Sequence, residues 1–242
     1  MKKLSKVFSA LFCIMLLSAC AAGIQNDETE VRQESTTGVE IEEKDGEEYF
    51  LFQDVEENTY RAELLENVPR NTYDFSYMSV DENTGFRTYH DEENGITSRM
   101  GIDVSEFQGE EIDWEQVRKS GIEFVIIRLG YRAYGESGDL VLDDMFDKNI
   151  KGAMDAGLDT GVYFFSQAVT PTEAVEEAEF VLDHIRPYDI EGPVVYDTEE
   201  IKGDTARTDG NTRQDFTNYC KVFCDTIEHA GYDSMIYANM KW

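Results

Sequence analysis

Two carboxylates end an apolar run in the segment Val194-Val195-Tyr196-Asp197-Thr198-Glu199. Alternate side chains of a strand point the same way, so Asp197 and Glu199 project together from its C-terminal end. In barrels of alternating strands and helices, that end carries the chemistry. Neighbouring acids there can divide into a proton donor and an anion, the pair that glycoside hydrolysis uses. The same residues would also suit a solvated loop just past a buried strand. No metal is expected, because three scattered histidines (His90, His184, His229) and four cysteines have no zinc spacing. Nor does acid chemistry of this kind call for a cofactor.

The elements that must hold these acids follow a regular pattern from Gly101 onward. A short strand at 102–104 carries Asp103. Asp113 caps a helix with Trp114 and Val117, stopped at Gly121. Phe124-Val125-Ile126-Ile127 reads as a buried strand, and a helix starting at Asp143 or Asp144 ends at Gly157. The third strand is Gly161-Val162-Tyr163-Phe164-Phe165. Thr170-Pro171-Thr172-Glu173 opens a helix as a capping box with proline at its first position. A strand at 193–196, a helix through Phe216 and Ile227, and a strand at 234–238 complete the series. Strict alternation implies a parallel sheet covered by helices. Five such units favour an α/β fold of the modified TIM-type (β/α) barrel kind. Cys220 and Cys224 lie one helical turn apart and read as ordinary thiols.

The N-terminal part has another character. Lys2, Lys3 and Lys6 precede an apolar run over 7–17, and Leu17-Ser18-Ala19-Cys20 follows. This is a signal peptide over 1–19, too short to span a membrane. Its ending resembles a bacterial lipobox, which implies cleavage before Cys20 and lipid on that sulfur; ordinary secretory cleavage near Ala21-Ala22 is the alternative. The expected location is therefore the outer face of the cytoplasmic membrane, with the lipid as the membrane contact. Between Asp27 and Glu57 stand 13 acids and two basic residues. Segment 20–58 is thus expected to be an acidic, disordered tether. Segment 59–99 is expected to be a β-hairpin appendage turning near Asn83 and Gly85. A net charge of −30 argues against nucleic acid as a partner and against anionic membrane surfaces.

Gly101-Ile102-Asp103-Val104-Ser105-Glu106-Phe107-Gln108-Gly109 with Ile112-Asp113-Trp114 resembles the opening of glycoside hydrolase family 25, the Chalaropsis-type lysozymes or N-acetylmuramidases. The likeness continues through 124–128, 161–165, 174–180, Asp197-Thr198-Glu199 and Met235-Ile236-Tyr237-Ala238-Asn239, so it covers roughly 100–242. The resemblance implies a modified barrel and cleavage of the β-1,4 bond from N-acetylmuramic acid to N-acetylglucosamine in peptidoglycan. It places Asp103 in the cleft and makes Glu199 the general acid. Asp197 would orient the 2-acetamido group or stabilise positive charge at the anomeric carbon. Crowding by Asp103 and Asp197 would keep Glu199 protonated.

Tyr163 is expected to touch the sugar, as is Tyr237. Tyr131 and Tyr134 lie in a loop at the catalytic end, and Arg128 precedes that loop as a candidate cleft residue. Trp242 could stack on a pyranose face. The chain stops there, just after the fifth strand, whereas the family continues with about three more. The barrel is therefore expected to be incomplete, poorly stable and weakly active. Two functions compete: a lipid-anchored muramidase for wall remodelling, favoured by the retained acids, and a non-catalytic glycan-binding surface lipoprotein, favoured by the short barrel.

Overall fold

The computed structural model describes residues 30–33, 40–44, 46–53, 58–63, 73–199, 201 and 205–238. The signal segment, Cys20 and Trp242 lie outside these residues. The chain divides into two units, 1–72 and 73–242.

In the first unit, acidic strands pair rather than forming a featureless tether. β1 (Glu30–Gln33), β2 (Glu40–Lys44), β3 (Glu47–Gln53) and β4 (Thr59–Glu63) make an antiparallel sheet in that order. The reason is period-two patterning beneath the charge. Ile41 lies opposite Phe50, and Phe50 opposite Ala62. Ile41 is thereby buried, and Glu42 meets Arg61 at 2.5 Å. A high acid count therefore does not prevent pairing when the apolar residues share one face. The unit boundary also falls after residue 72 rather than at 58.

The second unit opens with a small antiparallel sheet of β5 (Met78–Val80), β6 (Arg87–Asp91) and β7 (Ile96–Thr97). Its first turn lies where Asn83 and Gly85 indicate. The Asp81 carboxylate accepts from the Asn83 and Thr84 amides, and Gly85 has φ +74°.

Beyond it the βα series is realised. The strands are β8 (Gly101–Val104), β9 (Phe124–Arg132), β10 (Leu140–Leu142), β11 (Asp159–Phe165), β12 (Val194–Thr198) and β13 (Ser234–Ala238). The helices are α1 (Trp114–Lys119), α2 (Phe146–Asp155), α3 (Pro171–Ile185) and α4 (Arg213–His229). Parallel pairing runs β8-β9-β11-β12-β13. One face of these strands (Val125, Ile127, Leu129, Val162, Phe164, Val194, Tyr196) is fully or almost fully buried. It packs with Phe146, Ile150, Ala174, Val181, Phe223 and Ile227 of the helices. α3 starts as expected: the Thr170 hydroxyl accepts from the Glu173 amide at 3.2 Å, with Pro171 at the first position. α2 starts later than expected. Asp143 is buried and turns its carboxylate to the Met145 amide and to Arg128.

β10 was not expected. It pairs antiparallel with the C-terminal part of β9, while β8 takes the N-terminal part of the same edge. β9 also carries a bulge at Leu129 in its pairing with β11. Tyr163 pairs with Arg128 but Phe164 pairs with Gly130, so the alternation of β9 resets. Tyr131 then lies on the inner face and Arg132 on the helix-covered face. Gly130 permits the close approach of β10, since a Cβ there would stand 2.2 Å from the Val141 carbonyl oxygen. Gly130→Ala is expected to cost about 1–3 kcal/mol, seen as a lower urea midpoint with an unchanged slope.

The sheet is curled. β8 and β13 are four strand positions apart, roughly 19 Å in a flat sheet. Asp103 of β8 and Tyr237 of β13 nevertheless line one groove. The fold is a mixed α/β unit whose parallel strands form part of a barrel wall, as the alternating pattern leads one to expect.

Candidate active site

The groove holds about 300 Å³ and is lined by Asp103, Ile126, Tyr163, Val195, Asp197, Glu199, Met235, Ile236 and Tyr237. Strand geometry explains the set. Tyr163 lies beside Val195, and Asp197 beside both Phe165 and Tyr237. These positions alternate with the buried residues of the outer face, so all of them face inward. Thr198, between the two acids, is buried on the other side. The three acids named from sequence thus converge, together with Tyr163 and Tyr237.

Electrostatics within the groove separates the acids. Asp197 is only 7% exposed. Its pKa is pushed up to about 8, first by burial, then by the charge of Glu199, a hydrogen bond with Glu199 and the charge of Asp103, against the pull of Arg128. The retained proton was expected on Glu199 through crowding. Instead burial leads, and it acts on Asp197, the deeper residue. Among the described residues, Asp197 Oδ1 is buried with no hydrogen-bond partner. Asp103 is exposed at the rim. Burial raises Tyr163 to about 12, opposed by Arg128 and aided by Asp103 and Asp197. Tyr237, about half exposed, is raised chiefly by the charge of Glu199. Both phenols stay protonated as hydrogen-bond donors at neutral pH.

Two residues expected to touch substrate do something else. Arg128 is buried, donating from Nε to Asp143 at 2.7 Å and from Nη2 to Glu106 at 2.9 Å. Its guanidinium lies over the rings of Phe107, 4.9 Å away, and Tyr131, 5.4 Å away. Arg128 therefore pins the loop after β8 onto β9 and acts on the groove through its field. Tyr131 is half-buried against it rather than lining the groove.

A buried polar network behind the groove was not anticipated. Arg132 donates from Nε to Glu177 at 2.8 Å and from Nη1 to the Gly138 carbonyl at 2.8 Å. Ser166 donates to Glu177 at 2.7 Å and lies 2.6 Å from the Tyr196 hydroxyl. The Ser166 amide donates to the Asp197 carbonyl at 2.8 Å. Burial lifts Glu177 to about 7, against Ser166 and Arg132. One signal was available: Glu177 interrupts the apolar stripe Ala174, Ala178, Val181, Ile185, and a carboxylate in such a stripe needs a partner. Cys220 and Cys224 are free thiols, and burial pushes Cys220 up to about 11. Among the described residues, no His, Cys, Asp or Glu cluster is arranged to hold a metal ion.

The model of Glycosyl hydrolases family 25 matches residues 102–242. No curated protein matches the chain. Several solved structures do. The modular autolysin LytC from Streptococcus pneumoniae is 18% identical with a TM-score of 0.52, covering 88% of this chain and 58% of that one. The same autolysin in complex with a synthetic peptidoglycan ligand gives 19%, 0.51, 86% and 57%. A family 25 glycosyl hydrolase from Bacillus anthracis gives 23%, 0.49, 64% and 65%. The chain therefore spans less than two thirds of the length of each. At these identities the LytC likeness is one of fold.

Proposed function

The chain belongs to glycosyl hydrolase family 25, and from that premise we propose that it is a muramidase, cutting the β-1,4 bond between N-acetylmuramic acid and N-acetylglucosamine in peptidoglycan. The observation that carries this reading is the Asp197–Glu199 pair: two hydrogen-bonded carboxyls at a strand end, one of them raised to about 8. At neutral pH such a pair holds one proton. Asp197 holds it at rest and passes it across their hydrogen bond to Glu199, which is less buried, lies past the end of β12 and delivers it to the glycosidic oxygen. The proton passes to the departing sugar as the glycosidic C–O bond breaks, and the pair becomes doubly anionic as positive charge grows at the anomeric carbon; a water molecule then adds to that carbon and returns a proton to the pair, leaving a new reducing end. Asp197 Oδ1, without a partner among the described residues, accepts the N–H of the 2-acetamido group and so orients it. Tyr163 and Tyr237 donate to the sugar from either side, and Asp103 holds the rim. LytC, which shares the fold, has been captured with a synthetic peptidoglycan ligand, which supports a glycan strand as the partner.

We assign the membrane contact to lipid on Cys20, placing the enzyme at the outer face of the cytoplasmic membrane for wall remodelling. Incubation with purified sacculi tests the hydrolytic reading. New reducing ends on N-acetylmuramic acid are expected, and Glu199→Gln should lower their release by at least about a hundredfold while still sedimenting with the sacculi. Sedimentation of the parent protein without new reducing ends would make the chain a glycan-binding protein and end the proposal.

A further inference from the structure

Among the described residues, Phe107 is the most exposed of the large apolar side chains, at 80%. A free aromatic ring on a loop would ordinarily fold down against its own surface; this one is held up. Its three-residue turn (Glu106–Gln108) is closed by a capping box, in which the Gln108 side chain accepts from the Ser105 amide at 2.7 Å. The Glu106 amide donates to the Asp143 carboxylate at 3.1 Å, and the Glu106 carboxylate accepts from Arg128. The ring itself rests on the Arg128 guanidinium, which also lies over the Tyr131 ring. One face of the ring is thus supported by a buried, doubly bonded cation, and the other is left to solvent.

The position matters as much as the rigidity. Phe107 stands four residues beyond Asp103, which lines the groove. Arg128, directly beneath Phe107, acts electrostatically on both Tyr163 and Asp197. The ring therefore lies just past the groove-lining end of β8, over an arginine whose charge reaches the acid cluster. We propose that Phe107 is a stacking platform for a pyranose ring of the glycan strand, extending the groove beyond the reacting sugar. This assignment rests on the muramidase reading above. An aromatic face suits the C–H surface of a sugar, and a ring fixed beforehand loses little freedom on binding. Arg128 is then a positioning residue for the platform rather than a sugar contact.

The test uses the full chain in a Glu199→Gln background, with purified peptidoglycan sacculi as the probe and sedimentation as the readout. Phe107→Ala should weaken binding roughly three- to tenfold, and Phe107→Trp should retain it. Phe107→Leu, which keeps an apolar cover on Arg128, should bind as weakly as the alanine variant. In the Glu199 parent, Phe107→Ala should raise KM on sacculi with kcat kept, and the melting temperature should stay put because the side chain is exposed. Equal binding by the parent and by the Ala and Leu variants would overturn the platform and leave the muramidase reading standing. Failure of the parent itself to bind would overturn both.

Discussion

Asp197→Asn is expected to remove activity and to raise stability at neutral pH. The loss follows from the pair's shared proton: an amide cannot become the anion that balances charge at the anomeric carbon, so the rate on sacculi should fall by about 10²–10⁴-fold. The gain follows from linkage. The folded pKa of Asp197 is about 8, against roughly 3.9 for an unfolded aspartate. Between these values the folded protein binds the proton and the unfolded chain does not. Stability is therefore greatest below about pH 4 and is lost progressively as pH rises to about 8. The full loss is on the order of a few kcal/mol, since the group is buried. Asparagine resembles the neutral carboxyl, can donate to Glu199 in its place and never ionises. Melting curves of the two proteins should coincide near pH 4 and diverge by roughly 5–10 °C at pH 8, with the variant higher. Parallel curves across that range would show that burial does not hold the proton on Asp197.

The second large effect is expected at Arg132. Replacing it with methionine leaves Glu177 fully buried without its cation, and removing one partner of a buried pair costs about 3–5 kcal/mol. In a unit of this size that lowers the melting temperature by roughly 10 °C. Arg132→Lys should rescue little, because one ammonium cannot replace bonds to Glu177, to the Gly138 carbonyl and to the Glu173 carbonyl. Arg132→Met with Glu177→Met should recover much of the loss, since no charge is then left unpaired. Activity should fall in the single variant even below its melting point, because Ser166 links Glu177 to the Asp197 backbone. A single variant as stable as the parent would show that the pair contributes nothing net.

Much of this was readable in the chain itself. Apart from β10, the order of strands and helices from Gly101 to Ala238 follows from local signals: apolar runs, the Thr170-Pro171 start, the glycine stops. Those signals act over a few residues, so no long-range information is needed to see them. The alternation in Asp197-Thr198-Glu199 likewise sets both acids on one face whatever surrounds them. The four acidic strands of the first unit were hidden because charge content masked the pairing of Ile41, Phe50 and Ala62.

What only the tertiary structure decided depends on which surfaces meet. Asp103 and Tyr237 share a groove because the sheet curls, and curl is a property of five strands together. Arg128 does not line the groove because the carboxylates of Asp143 and Glu106 claim its donors. Which acid keeps the proton was settled by depth. Burial is a sum over neighbours distant in sequence, and that sum puts the largest desolvation cost on Asp197. Residue types and spacing determined that three acids would be available; packing determined what each of them can do.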